Sequence, residues 1–435
     1  MLKRIRGITA MLKRIRGNTK MLKRILGCLG IGSVLVVLAN ITVMQRIYES
    51  YTLWTADQTS LIERFAHFNK AHNSNDIPRA GAVSPLIRAE TKPKYPERYE
   101  MPSGSYTLPE LFERWGTVGF MTLRDDKVFD ERYFKGHSAS RLWMSFSASK
   151  AIVGVLTGIA AEEGAIEDLS DPLGKYAPQF RGSAWEDVTF YQALDMRSGV
   201  DFYEYDYDWG GDLQDFTFAM AIGTPLDDWL VSLPKSEHPP GSHYIYSSAD
   251  TQALGTALSG ATGKTIAQYM SEKIWTKIGV EKDAYWIADE TGREVGLSGW
   301  NATMRDYARL GLLYLHGSNW QGEEIIPQHW LERVRNPTAE HLAQEPDPAA
   351  EKHVRSWSQF YVPDDGYGDY SAVGAYGQLI YVNPRMNAVV VTHSVNPDVY
   401  NEMTTLEEQF FVFRQIAESL PGETVSVEQV AEPAD

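Results

Sequence analysis

The stretch from Met144 to Leu156 places a Ser-x-x-Lys pattern at the start of an apolar run of helix length. Residues three apart share one face of a helix, so Ser147 and Lys150 are expected to project side by side. A serine hydroxyl is a poor nucleophile until a neighbouring base takes its proton, and a lysine can be that base if desolvation or a nearby cation lowers its pKa. The stretch therefore predicts a helix, running to about Gly164, with a candidate nucleophile in its first turn.

Four residues alone are a weak signal, because short motifs occur often by chance. The chain has a second copy, Ser232-Leu233-Pro234-Lys235, and its internal proline favours a loop. For Ser147 itself, a small residue opening a packed core helix is the simpler interpretation. Other motifs along the chain must decide between the two interpretations.

Composition excludes several classes of protein. The 435 residues are 43% hydrophobic and 23% charged, which is typical of a globular chain with a large core and one to three domains. The one cysteine, Cys28, excludes an intrachain disulfide and a Cys-based zinc site. The ten histidines are scattered and the chain has no H-E-x-x-H, Walker or G-x-S-x-G motif, so neither a metal nor a cofactor is expected.

The N-terminus differs in charge from the rest of the chain. Residues 1–25 hold nine Lys or Arg and no Asp or Glu, and the remainder carries 32 basic against 57 acidic residues. An acidic body repels phosphates, which argues against nucleic-acid binding. Leu26 to Met44 has no charged residue and follows basic residues, which predicts a single-pass transmembrane anchor at 26–45 with the body outside the cytoplasm. Cleavage of a signal peptide, followed by secretion, is the alternative.

The rest of the chain is predicted to form a domain that contains both helices and strands. Beyond a linker and N-terminal extension at 46–105, with a short helix around Leu53–Lys70, Gly119 to Tyr133 reads as a hairpin. Val188–Ser198 and Thr265–Lys277 are predicted helices. A second hairpin, Tyr376 to Ser394, precedes a closing helix at Leu406–Leu420 and an acidic tail at 421–435. We therefore expect an α/β (α+β) fold at 106–420, with one antiparallel sheet built from both ends, flanking helices and an inserted helical subdomain.

Three motifs occur in an order that marks a known family. These are Ser147-Ala148-Ser149-Lys150, Tyr246-Ser247-Ser248 and Ala375-Tyr376-Gly377-Gln378. Together they resemble the serine β-lactamase and penicillin-binding superfamily, with its β-lactamase/transpeptidase-like fold. The closest likeness is to the class C-related hydrolases, in the branch of 6-aminohexanoate-dimer hydrolases and esterases. The resemblance extends over about 106–420.

The resemblance implies roles for individual residues. Ser147 matches the acylated serine, Lys150 its lysine partner, and Tyr246 the tyrosine that relays the leaving-group proton, although Tyr244 points the same way on an extended segment. A phenol beside a lysine cation is expected to have a lowered pKa. The backbone N–H groups of Ser147 and Gln378 would form the oxyanion hole. The other residues expected near the substrate are Gly377, Tyr376, Ser248 and Asn301, the last of which is as well suited to capping the next helix.

Two departures from the β-lactamase pattern bear on the substrate. The third motif, Lys-Thr-Gly in β-lactamases, is Ala375-Tyr376-Gly377 here, and Ser248 stands where β-lactamases have Asn. The lost lysine helps to hold the carboxylate of penicillins, so the branch of esterases and amide hydrolases fits better. Tyr203, Tyr205 and Tyr207 are candidates for a loop that closes over the substrate, although solvent-facing loop aromatics are the simpler interpretation.

The sequence thus predicts a serine hydrolase that cleaves small-molecule or short peptide-like amides or esters through an acyl-enzyme. The predicted anchor implies a single-pass protein of a bacterial inner membrane, with the catalytic domain in the periplasm. A β-lactamase and a DD-peptidase are the alternatives within the enzymes. A non-catalytic penicillin-binding-type scaffold is the alternative of another class.

Overall fold

A computed structural model describes residues 43–48, 56–204, 211–342, 353–396 and 402–422. The predicted basic segment 1–25 lies outside these residues, as do the predicted anchor 26–45 up to residue 42 and the acidic tail beyond 422. Across the described ranges, no helix is long and apolar enough to cross a membrane.

The described strands form three sheets. They are β1 (Asn73–Ile77), β2 (Ile87–Arg88), β3 (Tyr99–Met101), β4 (Gly104–Tyr106), β5 (Thr117–Arg124), β6 (Lys127–Tyr133), β7 (Trp143–Met144), β8 (Ala284–Ala288), β9 (Trp300–Ala302), β10 (Val354–Trp357), β11 (Phe360–Pro363), β12 (Tyr370–Gly374), β13 (Gln378–Asn383) and β14 (Ala388–Ser394).

The described helices lie mostly between the two strand-rich ends of the chain. They are α1 (Gln58–Phe65), α2 (Leu108–Arg114), α3 (Ser149–Glu162), α4 (Leu173–Tyr176), α5 (Phe190–Leu194), α6 (Asp212–Ile222), α7 (Leu226–Ser232), α8 (Ser248–Thr262), α9 (Ile266–Met270), α10 (Met304–His316), α11 (Gln328–Arg335), α12 (Ala339–Leu342) and α13 (Glu402–Ser419).

The main sheet joins the two ends of the chain, as predicted. Its order is β10-β11-β12-β13-β14-β5-β6-β2, so the N-terminal β5–β6 hairpin pairs with the C-terminal strands through β14. The hairpin turns at Asp125 and Asp126, whose φ values of 50° and 58° suit a tight two-residue turn. The sheet is antiparallel except at its edge, where the two residues of β2 run parallel to β6.

A second sheet, in the order β1-β8-β9-β7, was not predicted. Its strands are two to five residues long, and β1 reads Asn-Ser-Asn-Asp-Ile, which has no alternating apolar pattern. β7 ends at Met144, directly before the turn that carries Ser147. This sheet therefore fixes the start of the functional segment.

The predicted helix after Ser147 is α3, and it lies at the centre of the molecule. Each of its residues from Ser149 to Ala160 is buried. It packs against α8 on one side and β12 on the other. At Gly158 an added Cβ would lie 2.3 Å from a ring carbon of Trp330, so only glycine permits this close packing.

Three predicted helices differ from the observed ones at their ends. Within the predicted helix Leu53–Lys70 the structure has α1, which spans Gln58–Phe65 and so ends before Lys70. Val188–Ser198 is reduced to α5, because Met196 takes φ 54° and cannot continue a helix. Thr265–Lys277 is α9 followed by a wider π-helical turn. Apolar periodicity in a sequence does not encode the backbone conformation at the end of a helix, so these helix ends were not predicted.

A buried histidine pair in the core predicts acid sensitivity. His137 Nε2 lies 3.0 Å from His393 Nδ1. Burial lowers the pKa of His137 to about 3 and that of His393 well below its ordinary value. In the unfolded chain both histidines take up a proton near pH 6.5, whereas in the folded chain they stay neutral. The free energy of unfolding is therefore at its full value above pH 6.5 and decreases as the pH falls below it. Each histidine lowers the free energy of unfolding by up to about 1.4 kcal/mol for every unit by which the pH falls below 6.5.

Urea unfolding at pH 7, 6 and 5 checks this expectation. A double variant, His137→Phe with His393→Leu, replaces both partners by apolar groups and is expected to show a shallower loss of unfolding free energy with falling pH. Equal slopes in the double variant and the wild type would contradict the assignment.

Candidate active site

Ser147 lies in a 3₁₀ turn, Phe146–Ala148, between β7 and α3. Phe146 has φ 47°, an uncommon conformation for a bulky residue, and it turns the chain sharply out of the strand. The N–H of Ser145 donates to the carbonyl of Trp300, which holds the turn against β9. Strain of this kind is found at sites where a side chain must be presented in one direction.

Lys150 is buried beside Ser147, as the spacing predicted. Its Nζ lies 2.8 Å from Ser147 Oγ, 2.8 Å from Ser248 Oγ and 3.2 Å from the carbonyl oxygen of Leu297. A neutral amine has two N–H donors and one lone pair. If the donors serve Ser248 and Leu297, the lone pair is left for the hydroxyl proton of Ser147, which is the geometry that a general base requires.

Tyr246 completes the group. Its phenol hydrogen-bonds with the side chains of Ser147 and Tyr361, and Lys150 Nζ lies 5.1 Å from the centre of its ring. The other candidate, Tyr244, instead accepts a hydrogen bond from the N–H of Ser356 through its hydroxyl. The structure therefore brings Tyr246, and not Tyr244, next to Ser147.

The expected lowering of the Tyr246 pKa is wrong in direction. Burial of the phenol, and next the nearby carboxylate of Glu204, raise the pKa of Tyr246 well above its ordinary value. A buried phenolate is costly, and here that cost outweighs the attraction of the lysine. Tyr246 is therefore protonated at neutral pH in the resting site, which suits it to donate a proton.

Glu204 is a residue of the site that the sequence did not reveal. It is 8% exposed, and its Oε2 accepts a hydrogen bond of 2.8 Å from the backbone N–H of Ser248, the first residue of α8. A carboxylate is stabilised at a helix N-terminus, so this contact fixes Glu204 beside the catalytic group. In the sequence Glu204 directly follows Tyr203, one of the candidate tyrosines for a loop over the substrate, but nothing there distinguishes its carboxylate.

Gln378 begins β13, and its side chain is clamped from three directions. Its Oε1 accepts from Trp143 Nε1 at 2.7 Å and from Ser394 N at 3.1 Å. Its Nε2 donates to the carbonyls of Ser394 and Ala375. The backbone of Gln378 is thus tied both to β14 and to β7, the strand that leads into Ser147. The rigid placement fits the expected oxyanion role of its N–H group.

The remaining expected residues are placed differently from one another. Tyr376 and Gly377 form the turn before β13, with φ 66° and 88°, and Tyr376 faces the cavity beside Ser147. Asn301 does not line that cavity. Its Nδ2 donates instead to the carbonyl of Gly299, the residue before β9. Its alternative role as a helix cap is also wrong, because Thr303 caps α10.

The predicted loop tyrosines are only partly described. The N–H of Tyr203 donates to Asp212 Oδ2 at 2.6 Å, which links it to the start of α6. Tyr205 and Tyr207 lie outside the described residues.

The close approach of β12 to the Ser147 turn gives a prediction. At Gly374 an added Cβ would lie 2.0 Å from the carbonyl oxygen of Ser145. Gly374→Ala is therefore expected to push the turn away from the start of β13 and to lower kcat at least about tenfold, with a loss of about 1–3 kcal/mol in stability. Gly182→Ala, at a surface glycine where an added Cβ meets nothing within 4 Å, is the control and should keep wild-type kcat. Equal kcat in both variants would contradict the geometry.

The chain is similar to several known proteins. Over 300 residues the chain is 27% identical to 6-aminohexanoate-dimer hydrolase of Paenarthrobacter ureafaciens, covering 67% of this chain and 76% of the relative. A solved structure from Bacillus anthracis, provisionally described as a 6-aminohexanoate-dimer hydrolase, superposes with a TM-score of 0.73 at 26% identity, covering 83% of this chain and 95% of that one. A family VIII carboxylesterase shares the fold, with a TM-score of 0.52 at 15% identity over 71% of this chain and 94% of that one.

The family follows from a comparison over most of the chain. The family model described as Beta-lactamase matches residues 112–405, which include the Ser147 turn, Tyr246 and the start of β13. The mixed α/β architecture agrees with this match. The chain belongs to the beta-lactamase family.

Proposed function

We propose that this chain is a serine hydrolase that cleaves an amide or ester bond through an acyl-enzyme on Ser147. Membership of the family makes it a hydrolase of this general kind. The single observation that carries the assignment of residues is the contact of 2.8 Å between Lys150 Nζ and Ser147 Oγ. Burial disfavours the charged form of a lysine, and a neutral amine within hydrogen-bonding distance of a serine hydroxyl is placed to act as its general base.

The protons balance over the two steps of the reaction. In acylation, Ser147 Oγ attacks the carbonyl carbon while its proton passes to Lys150, and the leaving group departs with the phenolic proton of Tyr246. Lys150 then returns its proton to the Tyr246 phenolate, which burial makes costly. In deacylation, a water passes one proton through the Tyr246 hydroxyl to Lys150, and its hydroxide attacks the acyl carbon. Ser147 then recovers its proton from Lys150, and the site is restored.

The site favours linear amides or esters over β-lactams. Ala375 stands at the position of the β-lactamase lysine, and beside it the ring of Tyr376 packs 5.0 Å from that of Phe65 and 5.1 Å from that of Phe146. An aromatic wall offers no charge to a penicillin carboxylate. Two relatives are described as 6-aminohexanoate-dimer hydrolases, which supports an amide substrate of that kind. β-Lactamase and DD-peptidase activity are the alternatives. Turnover of penicillin in the test below would indicate the first, and a stable penicillin adduct on Ser147 would indicate the second.

Hydrolysis of three substrates tests the proposal. They are p-nitrophenyl acetate, the linear dimer of 6-aminohexanoate, and benzylpenicillin, each with wild type and with Ser147→Ala. Turnover of the ester or the dimer that depends on Ser147, with penicillin at least about 100-fold slower, supports the proposal. Faster turnover of penicillin would favour a β-lactamase. The absence of any turnover that depends on Ser147 would favour a non-catalytic scaffold.

We also propose the domain plan and location suggested by the sequence, namely an anchor at 26–45 and a catalytic domain at 106–420 in the periplasm. The support is the uncharged run from Leu26 to Met44 and its basic flank. Carbonate extraction of membranes from cells that make the full chain tests it, with the chain from residue 46 onward as control. Release of the full chain at its full mass would contradict an anchor, and release of a shortened chain would indicate a cleaved signal.

A further inference from the structure

A mainly apolar cavity opens beside Ser147. Its volume is about 140 Å³, which is similar to that of a protein cavity that binds benzene. The side chains that make it apolar come from separate parts of the chain, among them Phe68, Phe146, Leu213, Phe216, Met220 and Ile287. A pocket of this size and lining can bury an organic group of several carbons next to the nucleophile.

The cavity receives the acyl part of the substrate and not the leaving group. The leaving group must depart next to its proton donor, the phenol of Tyr246. Ser147 lines the cavity and Tyr246 does not. The group that remains on Ser147 after the first step is therefore the one that can extend into the cavity.

No lysine or arginine lines the cavity within the described ranges. The remaining basic residue is His72, and burial followed by the charge of Arg46 lowers its pKa to about 4, so it is neutral at pH 7. Glu204 is held at the catalytic end by its hydrogen bond to Ser248 N. An anionic group on the acyl chain would lose its hydration and meet the Glu204 carboxylate without gaining a cationic partner, which is costly. An ammonium, such as the one on the acyl part of a 6-aminohexanoate dimer, can instead pair with Glu204.

One wall of the cavity comes from outside the matched family domain. Phe68 and His72 are stacked, with ring centres 5.0 Å apart and planes 10° apart, and both precede residue 112. This wall is fixed at both ends. Phe65 packs its ring 4.8 Å from that of Phe146, and Arg46 Nε donates to the carbonyl of Ala71 at 3.2 Å. A fixed wall can select a substrate by its size.

We propose that this cavity is the acyl pocket, that it accepts acyl chains of several carbons that carry no negative charge, and that Phe68 sets the longest chain that fits. The proposal rests on the proposed serine-hydrolase function and adds the class of acyl group. Each methylene buried in such a pocket raises kcat/KM about fourfold. Between an acetyl and a hexanoyl ester, a gain of at least about tenfold is therefore expected.

The test uses p-nitrophenyl esters in two series. The first series has straight acyl chains of two, four, six and eight carbons. The second has six-carbon chains that end in a methyl, an ammonium or a carboxylate group, so that charge varies at constant length. Each ester is measured with wild type, Ser147→Ala, Phe68→Trp and Phe411→Trp. Phe411 is 46% exposed on α13 and makes the last variant a matched control for the chemical change.

The proposal predicts that the hexanoyl and the ammonium-ended esters are each turned over at least about tenfold faster, in kcat/KM, than the carboxylate-ended ester of the same length. It also predicts that Phe68→Trp lowers the ratio of octanoyl to acetyl turnover at least about tenfold, whereas Phe411→Trp leaves that ratio unchanged. The ratio cancels any general loss of activity.

Two results would overturn the inference. A carboxylate-ended six-carbon ester that matches the hexanoyl ester would do so, as would an unchanged chain-length ratio in Phe68→Trp. If acetyl ester turnover depends on Ser147 in either case, the proposed function stands and the acyl pocket alone is wrong. If no ester is turned over in a manner that depends on Ser147, both fail.

Discussion

Ser147→Ala is expected to lower kcat/KM for the best ester or amide substrate at least about 10⁴-fold, because the hydroxyl is the group that forms the acyl-enzyme. Ser147 is partly exposed and adds one hydroxyl to the turn, so Tm should change by no more than about 2 °C. Steady-state kinetics and thermal unfolding of the same preparation give both values.

The chain supplies a matched control for this variant. Ser232 belongs to the second Ser-x-x-Lys copy, and its Oγ donates to the carbonyl of Trp229 at the end of α7, away from the site. Ser232→Ala should keep wild-type kcat/KM. Activity in Ser147→Ala within tenfold of the control would show that another residue is the nucleophile.

Lys150→Met is expected to lower kcat/KM at least about 10³-fold. Methionine has a similar length and suits a side chain that is 2% exposed, so the fold should persist without the base. The loss should fall on kcat, because Lys150 contacts Ser147 and Ser248 and not the apolar cavity. Lys235→Met, in the second copy, is the control.

A double variant tests whether the two residues act together. If Lys150 works only by activating Ser147, the losses do not add, and Ser147→Ala with Lys150→Met should be no slower than Ser147→Ala alone. Additive losses would instead give Lys150 a role independent of the nucleophile.

The sequence predicted those features that depend on spacing and order. The three-residue spacing of Ser147 and Lys150 brought their side chains together because a helix of known geometry follows. Alternating and β-rich runs at both ends of the chain predicted the sheet that joins β5 to β14, since each run is long enough to show its period. Backbone turns with positive φ, as at Phe146, had no such signal.

What the sequence did not show depends on contacts between distant residues. The carbonyl of Leu297 and the carboxylate of Glu204 reach the site only after folding, and neither residue type is unusual in its neighbourhood. The pKa of Tyr246 was predicted in the wrong direction, because a sequence shows that a lysine is near but not that the phenol is buried. The wall formed by Phe68 and His72 was missed because it lies in a segment that we interpreted as a linker.

The most direct test of the central claim, that Ser147 is the acylated nucleophile, is the intact mass of the body of the chain after treatment with a fluorophosphonate probe. We expect one added phosphonyl group, located on the peptide that contains Ser147 and absent from Ser147→Ala treated in the same way. An adduct that persists in Ser147→Ala, or a wild-type protein that stays unmodified at excess probe, would contradict the account.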